Sequence, residues 1–298
     1  MQIAGFLFLC IVWGTTWIAI KISLEGFPPF TSASIRFAMA LCILFPYIKW
    51  HKVSLRLNKN QVALLALSAF LMYALDYGLI YWGEQYLSAG VTAIFFATFA
   101  LFTALWSNFV FRNERFRANK LIGLLLGFAG IVVVFFDQLI ITHFSSRVIA
   151  GSAAVVLGAA GGAMSIVIVK KYLTNINPAS LAFNQMLMGF VFLGLIALLF
   201  EPRPTTVASL KIWLAILYLG GVGSALAFGL YYRLLQQMSA ITLSLIIYIT
   251  PVVALGADYL YYGTVVHYRS VIGMVVIFLG IALTQSDALY YLRSKRIR

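Results

Sequence analysis

Apolar segments of about 20 residues recur along the chain, and this repetition constrains the fold more than any other feature. A helix rising about 1.5 Å per residue needs about 20 apolar residues to cross a hydrocarbon core of about 30 Å. The chain is 63% hydrophobic and 10% charged, whereas soluble domains contain about 25% charged residues. Alternating segments typical of membrane barrels are absent from the sequence. It therefore predicts an all-α integral membrane protein.

Charged or proline-rich breaks divide the apolar sequence into ten predicted transmembrane helices. Proline stands at three breaks, Pro28, Pro178 and Pro202, where it removes a backbone donor that a continuing helix would need. The predicted spans are Ile3–Leu24, Phe30–Ile48, Gln61–Trp82, Ala89–Phe111, Lys120–Phe136, Val148–Lys170, Pro178–Phe200, Leu210–Tyr232, Ala240–Tyr262 and Tyr268–Ser286.

Lysine and arginine are distributed unequally between the two sides that ten spans define. Fifteen of the 21 basic residues fall in the even-numbered loops and the C-terminal tail, five fall on the other side, and Arg36 lies inside a span. Positive loops favour the cytoplasm, so both termini are predicted to be cytoplasmic. Topology thereby accounts for the net charge of +13. The sequence lacks a basic stripe with interleaved aromatic residues, so it does not indicate nucleic-acid binding.

Residues 77–89 and 228–240 resemble each other, which indicates an internal repeat. Six of thirteen positions are identical at one constant offset, and a weaker match aligns Lys21 with Lys170. Each half then contains five spans, an odd number, so the second half is expected to cross the membrane in the opposite sense. Inverted repeats are typical of transporters whose binding site lies between the halves, near the middle of the membrane.

Short motifs along the chain have a family-like order and spacing. They are Trp13-Gly14-Thr15-Thr16-Trp17, Pro28-Pro29, Arg36-Phe37, Asn113-Glu114, Gly123-Leu124-Leu125-Leu126-Gly127 and Thr250-Pro251-Val252-Val253. In these residues the chain resembles the drug/metabolite transporter superfamily, specifically its EamA-type ten-helix members. The resemblance implies two EamA-like five-helix repeats, residues 1–138 and 148–288, and a basic cytoplasmic tail, residues 289–298. It also implies an inner-membrane carrier that moves small organic metabolites, often out of the cell, and that has no prosthetic cofactor.

Apart from basic residues at the span ends, three charged residues lie inside predicted spans, all in the outer half: Arg36, Asp76 and Asp258. A charge in hydrocarbon costs at least about 2.5–3.5 kcal/mol, so each needs a partner or a water-filled cavity. We interpret Arg36 and Asp76 as substrate contacts in an outward-opening cavity, and Asp76 and Asp258 as the carboxylates for proton coupling. The alternatives are a buried Arg36–Asp76 ion pair that only orients helices, and snorkelling of Asp258 toward the outer headgroups.

Two spans carry aromatic residues four positions apart: Tyr73, Tyr77 and Tyr81 on the third, and Trp13 and Trp17 on the first. Phenol groups beside the carboxylate of the third span could bind an amine or an aromatic ring through hydrogen bonds and cation–π contacts. We therefore predict that these five residues bind substrate, the alternative being ordinary helix packing.

Pro251 removes a backbone hydrogen bond within the ninth predicted span. We predict a hinge at this residue, with a merely tolerated kink as the alternative. Together with the repeat, these features favour a secondary transporter that works by alternating access, with an amino acid or a related metabolite exported across the lipid bilayer.

The same residues leave three alternative functions. A nucleotide-sugar or lipid-linked sugar carrier should need more than one cation for its anionic cargo, and only Arg36 is clearly intramembrane. A membrane enzyme is less favoured because the sequence has no HExxH, no CxxC, no histidine cluster and no metal-binding spacing. A channel is the third alternative. No Walker A pattern is present, so a proton gradient or the substrate gradient would drive transport.

Overall fold

A computed structural model describes residues 2–111, 118–143, 145–202, 209–253 and 268–284. Within these ranges the chain is mostly helical, and no residue there belongs to a β-strand. Seven of the helices are long and apolar enough to cross a membrane, and three shorter apolar helices accompany them. We number them α1 to α10 in chain order.

The long helices are α1 Gln2–Leu24, α2 Pro29–Trp50, α3 Lys59–Glu84, α4 Ala89–Val110, α6 Ser146–Leu173, α7 Pro178–Phe200 and α8 Leu210–Gln237. The shorter helices are α5 Ala118–Val134, α9 Ala240–Val253 and α10 Tyr268–Thr284. Each helix begins within two residues of the start of a predicted span. The predicted ninth span continues to Tyr262, but residues 254–267 lie outside the described ranges, as does the tail from residue 285.

Local sequence signals explain where the helices begin. Pro29 and Pro178 occupy the first turns of α2 and α7. Backbone N–H groups there have no acceptor within the helix, so proline, which lacks an N–H, costs no hydrogen bond. Asn58 and Gln61 form a capping box at the start of α3, and the Ser88 side chain accepts from a backbone N–H at the start of α4. Proline and polar caps therefore set the starts of these four helices.

Glycine contacts allow α5 and α10 to approach closely. A Cβ atom at Gly123 would lie 2.6 Å from the carbonyl oxygen of Gly280, and one at Gly130 would lie 2.8 Å from that of Gly273. Larger side chains at these positions would separate the two backbones.

The exterior of the bundle carries large apolar side chains, whereas several polar side chains are buried. Ile3, Leu198 and Phe200 are each more than three-quarters exposed. Arg36 and Asp76 are buried instead. An apolar exterior around a partly polar interior is the arrangement that lipid favours, so the chain is a multi-pass membrane protein.

Three helices contain π-helical turns, at Phe70–Tyr77 in α3, Val169–Leu173 in α6 and Gly221–Leu226 in α8. Such turns within α-helices are rare and are frequent at functional sites. Those of α3 and α8 contribute directly to the site described next.

Candidate functional site

A cavity lies inside the bundle, between α1, α2, α3, α4, α6, α8 and α9. The centres of water molecules can occupy about 70 Å³ of it, and the space between its walls, including solvent at its opening, amounts to about 710 Å³. The mainly apolar and aromatic wall with a few polar groups is typical of a small-molecule site. The lining residues are Trp13, Thr16, Trp17, Ile20, Arg36, Met72, Asp76, Tyr77, Ile80, Phe96, Phe99, Ile166, Phe228, Tyr231, Leu243, Ser244, Ile247 and Thr250.

Five of the seven residues predicted to bind substrate line this cavity: Trp13, Trp17, Arg36, Asp76 and Tyr77. They come from the three consecutive helices α1, α2 and α3. The structure therefore brings the predicted cation, carboxylate and aromatic rings to one cavity.

The Arg36 guanidinium is buried and held in place by α3 and α8. Its Nε donates to Ser224 Oγ (2.8 Å), its Nη2 to the Gly223 carbonyl oxygen (3.3 Å) and its Nη1 to the Tyr81 hydroxyl (3.3 Å). A guanidinium has five N–H groups, so two of them take no part in these three bonds. Its Cζ also lies 4.9 Å from the centre of the Tyr77 ring, a cation–π contact.

Asp76 is 2% exposed, and its Oδ1 has no hydrogen-bond partner among the described residues. It does not form the ion pair with Arg36 that the sequence left as an alternative, because the arginine bonds to α3 and α8 instead. Gly158 and Gly162 of α6 face it, and a Cβ at Gly158 would lie 3.1 Å from the Asp76 carbonyl oxygen. The carboxyl group is therefore buried at the cavity without a protein cation.

Tyr73 and Tyr81 do not line the cavity with Tyr77, which differs from the prediction. Four residues exceed one α-helical turn but fall short of one π-helical turn. The π-helical turn ends at Tyr77, and α-helix follows it. The side-chain direction therefore falls short of a full rotation about the helix axis between Tyr73 and Tyr77, and passes a full rotation between Tyr77 and Tyr81. Tyr77 therefore points in a different direction from the other two residues.

Tyr73 and Tyr81 support the cavity from behind. The Tyr73 ring stacks on Tyr77 with centroids 5.8 Å apart, and it fills the space above Gly189 of α7. Tyr81 accepts the hydrogen bond from Arg36. Both tyrosine side chains are fully buried, so their contacts position lining residues.

Residues of α8 form the opposite aromatic wall, and the sequence did not single them out. The Trp13 ring lies 5.6 Å from that of Phe228 and 5.2 Å from that of Tyr231, and its Nε1 donates to the Gly223 carbonyl oxygen (3.2 Å). The internal repeat contained a signal for this wall, since it aligns Tyr77 with Phe228. Ser224, which holds Arg36, carried no comparable signal.

Pro251, the predicted hinge, directly follows the lining residue Thr250. Because proline has no N–H, the carbonyl oxygen of Ile247 lacks the usual helical partner. Thr250 Oγ1 donates to this oxygen (3.0 Å). The second residue predicted for proton coupling, Asp258, lies outside the described residues.

Comparison with known proteins places the chain among transporters. The family described as "EamA-like transporter family" matches residues 1–136 and again residues 149–285. The uncharacterized transporter YoaV of Bacillus subtilis is 22% identical, over 93% of this chain and 94% of that protein. Protein PagO of Salmonella typhimurium is 24% identical, over 94% and 91% of the two chains. The uncharacterized inner membrane transporter YedA of Escherichia coli is 27% identical, over 85% and 81%.

The fold also matches a known crystal structure of a protein. The TM-score is 0.81, and the superposition covers 97% of this chain and 98% of the other. At 18% sequence identity this likeness concerns the fold alone.

Proposed function

We propose that this chain, which belongs to the EamA-like transporter family, is a secondary transporter that exports an amino acid or a related small metabolite. One observation carries the proposal. A single aromatic cavity presents the guanidinium of Arg36 and the carboxyl group of Asp76, and the two groups are not paired with each other. A cation and a carboxyl group held apart in one cavity suit a cargo that carries both charges.

The chemistry of the cavity matches a zwitterion. A cargo carboxylate can accept the two remaining N–H groups of Arg36, as arginine commonly binds carboxylates. A cargo ammonium group can bind Asp76 and the face of the Tyr77 ring. The small space open to water suits a compact metabolite. Among the described lining residues Arg36 is the one cation, which disfavours a nucleotide-sugar or lipid-linked sugar cargo.

The internal repeat supports alternating access, because residues that it aligns line the cavity together. Tyr77 and Phe228 are one such pair, and Ile80 and Tyr231 are another. In the same register the lining pairs continue with Phe96 and Ile247, and Phe99 and Thr250. A cavity shared by equivalent positions of two inverted halves can open to either side by equivalent movements.

Charge placement supports an orientation with both termini in the cytoplasm. The loops on that side carry most of the lysine and arginine residues, which favours retention in the cytoplasm. Relatives include a bacterial inner membrane transporter, so we place this protein in a bacterial inner membrane.

Proton coupling is the second part of the proposal, and Asp76 is the residue that carries it. A buried carboxyl group without a fixed cation can take up a proton or a cargo ammonium group, which links the two events. The corresponding prediction for Asp258 stands on the sequence alone.

A binding screen followed by a transport assay tests the proposal. Purified protein is heated with L-amino acids, amines, sugars or nucleotides, since a ligand of the folded state raises Tm. We expect L-amino acids to raise Tm and to support counterflow into proteoliposomes. Stabilisation by nucleotides or sugars alone would overturn the proposed cargo, and absence of counterflow would overturn transport.

The proton step has its own variant and control. Asp76→Asn should bind cargo more weakly, and the transport that remains should not depend on a pH gradient, whereas Asp137→Asn should behave as the original protein. Asp137 is a matched control because its carboxylate is about half exposed and pairs with Arg269 away from the cavity. A gradient dependence that persists in Asp76→Asn rejects this residue as the coupling group.

A further inference from the structure

Arg36 has an internal counterpart in the second half of the chain. The register that aligns Lys21 with Lys170 places Gln185 of α7 where α2 has Arg36. The register of the longer repeat aligns Tyr81 with Tyr232. The hydrogen-bonded pair Arg36–Tyr81 therefore corresponds to Gln185 and Tyr232.

The structure contains the corresponding contacts around Gln185. The Tyr232 hydroxyl donates to Gln185 Oε1, and Gln185 Nε2 donates to Ser68 Oγ (2.9 Å). Ser68 lies in α3, just before the π-helical turn that begins at Phe70. Each half thus joins a polar side chain to a tyrosine of its own half and a serine of the other half.

The first cluster, Arg36–Tyr81–Ser224, follows the same rule. Arg36 bonds to Tyr81 in its own half and to Ser224 in the π-helical turn of α8. The second cluster is Gln185–Tyr232–Ser68. All six side chains are buried, which is unusual for polar groups unless they are satisfied as these are.

The two clusters differ in their relation to the cavity. Arg36 lines it, whereas Gln185 does not. The ring of the lining residue Phe228 packs at a tilt against the second cluster and its neighbour: it lies 5.8 Å from Tyr232 and 6.0 Å from Tyr73, centroid to centroid. The cavity therefore reaches the first cluster, through Arg36, but does not reach the second.

We propose that Gln185, Tyr232 and Ser68 form a second binding site for the cargo, which lines the cavity when the protein opens to the other side. The inference rests on the proposed alternating access. In an inverted repeat, α2 and α7 begin on opposite sides of the membrane, so the two clusters lie toward opposite faces. The second site offers an amide and hydroxyl groups without a charge, so it binds the cargo carboxylate more weakly than Arg36 does.

Accessibility of single cysteines tests the proposal. In a protein carrying Cys10→Ala and Cys42→Ala, Ser68→Cys and Ser224→Cys are prepared separately. A membrane-impermeant thiol reagent is added to right-side-out or to inverted vesicles. We expect the two cysteines to react from opposite sides, and a mixture of L-amino acids to slow both reactions.

Affinity measured from each side supplies a second readout. Gln185→Ala should weaken amino-acid binding about tenfold from the side that labels Ser68→Cys, the effect of roughly one lost hydrogen bond. Tyr232→Phe keeps the ring and should act in the same direction, which guards against a folding defect in Gln185→Ala. Binding from the other side should change less in both variants.

The outcomes separate this inference from the proposed function. If Ser68→Cys reacts from neither side, or from the same side as Ser224→Cys, the second site is rejected while amino-acid counterflow can persist. If amino acids protect Ser224→Cys but not Ser68→Cys, the second cluster moves but does not bind cargo, and the inference fails. If counterflow is absent in the unmodified protein, the proposed function fails whatever the labelling shows.

Discussion

The carboxyl group of Asp76 lies directly against Gly162 of α6, where a Cβ atom would stand 2.5 Å from Oδ2. The same Cβ would lie 3.1 Å from the ring of Phe99. Helix α6 therefore provides space for the carboxyl group at a place where a larger residue would displace it. Since Oδ1 has no protein partner in the described structure, the group is left available to cargo or proton.

Gly162→Ala is expected to move the Asp76 carboxyl group and to lower the free energy of unfolding by about 1–3 kcal/mol, because the added methyl group overpacks the contact. Amino-acid binding should weaken in parallel. Denaturation in detergent measures the first effect, and the ligand-induced change in Tm measures the second.

Gly229→Ala is the matched control for this variant. No heavy atom lies within 4 Å of a Cβ at Gly229, so its stability should be unchanged or higher by up to about 1 kcal/mol, since alanine favours helix. Equal losses in the two variants would contradict the contact between Gly162 and Asp76.

Arg36→Lys keeps the positive charge but removes the planar fork that reaches Ser224, Gly223 and Tyr81 together. We expect amino-acid binding to weaken about 10- to 100-fold, since hydrogen bonds to charged groups contribute about 1.5–3 kcal/mol. Titration calorimetry in detergent measures the change. Arg233→Lys, at an exposed position of α8, should bind as the original protein does. Unchanged affinity in Arg36→Lys would mean that charge alone is recognised.

Glu201→Gln tests a contact between α7 and α2 that lies outside the cavity. Glu201 Oε1 accepts from the Phe30 N–H (2.7 Å), and Oε2 accepts from the N–H and Oγ1 of Thr31 (both 2.7 Å). A carboxylate at a helix N-terminus is favourable, so its loss should lower the free energy of unfolding by about 1–2 kcal/mol. Amino-acid affinity should stay the same.

Glu25→Gln is the control for Glu201→Gln. Glu25 pairs with Lys211 at 3.1 Å, and both side chains are more than half exposed. Such pairs contribute about 0.2–1 kcal/mol, so chemical denaturation should show a smaller change than in Glu201→Gln. A loss in Glu25→Gln as large as that in Glu201→Gln would show that the partly buried Glu201 carboxylate has no special effect.

The helix starts were predictable from the sequence because their causes are local. Proline at Pro29 and Pro178, and polar caps such as Asn58, lie where the helices begin. Helix interiors were less predictable. The π-helical turn at Phe70–Tyr77 leaves no mark in the apolar pattern, so the different direction of Tyr77 could not be anticipated.

Charged members of the site were easier to predict than its neutral members. Arg36 and Asp76 stand out because a charge within an apolar span needs a reason. Ser224 and Gln185 are neutral residues of common types, and their importance depends on which helices meet. The repeat related Gln185 to Arg36, but only the contacts with Tyr232 gave that relation a physical meaning.

Pro251 allows a final prediction about movement. With alanine at this position, a backbone N–H could bond to the Ile247 carbonyl oxygen, which now accepts from Thr250 Oγ1. Pro251→Ala should therefore raise the free energy of unfolding by about 1–3 kcal/mol, because proline within a helix is unfavourable. If the missing bond lets α9 bend during transport, the same variant should slow turnover while amino-acid affinity is kept.

Pro46→Ala separates hinge movement from a general gain in stability. Pro46 also lies inside a helix, α2, but at an exposed position that does not line the cavity. It should gain stability as Pro251→Ala does, yet its counterflow rate should be unchanged. Rates that fall equally in both variants would trace the effect to stability, and a rate unchanged in Pro251→Ala would leave Pro251 as a tolerated kink. A rate that falls only in Pro251→Ala is the result expected of a hinge, since of the two freed carbonyl groups only that of Ile247 belongs to a residue that lines the cavity.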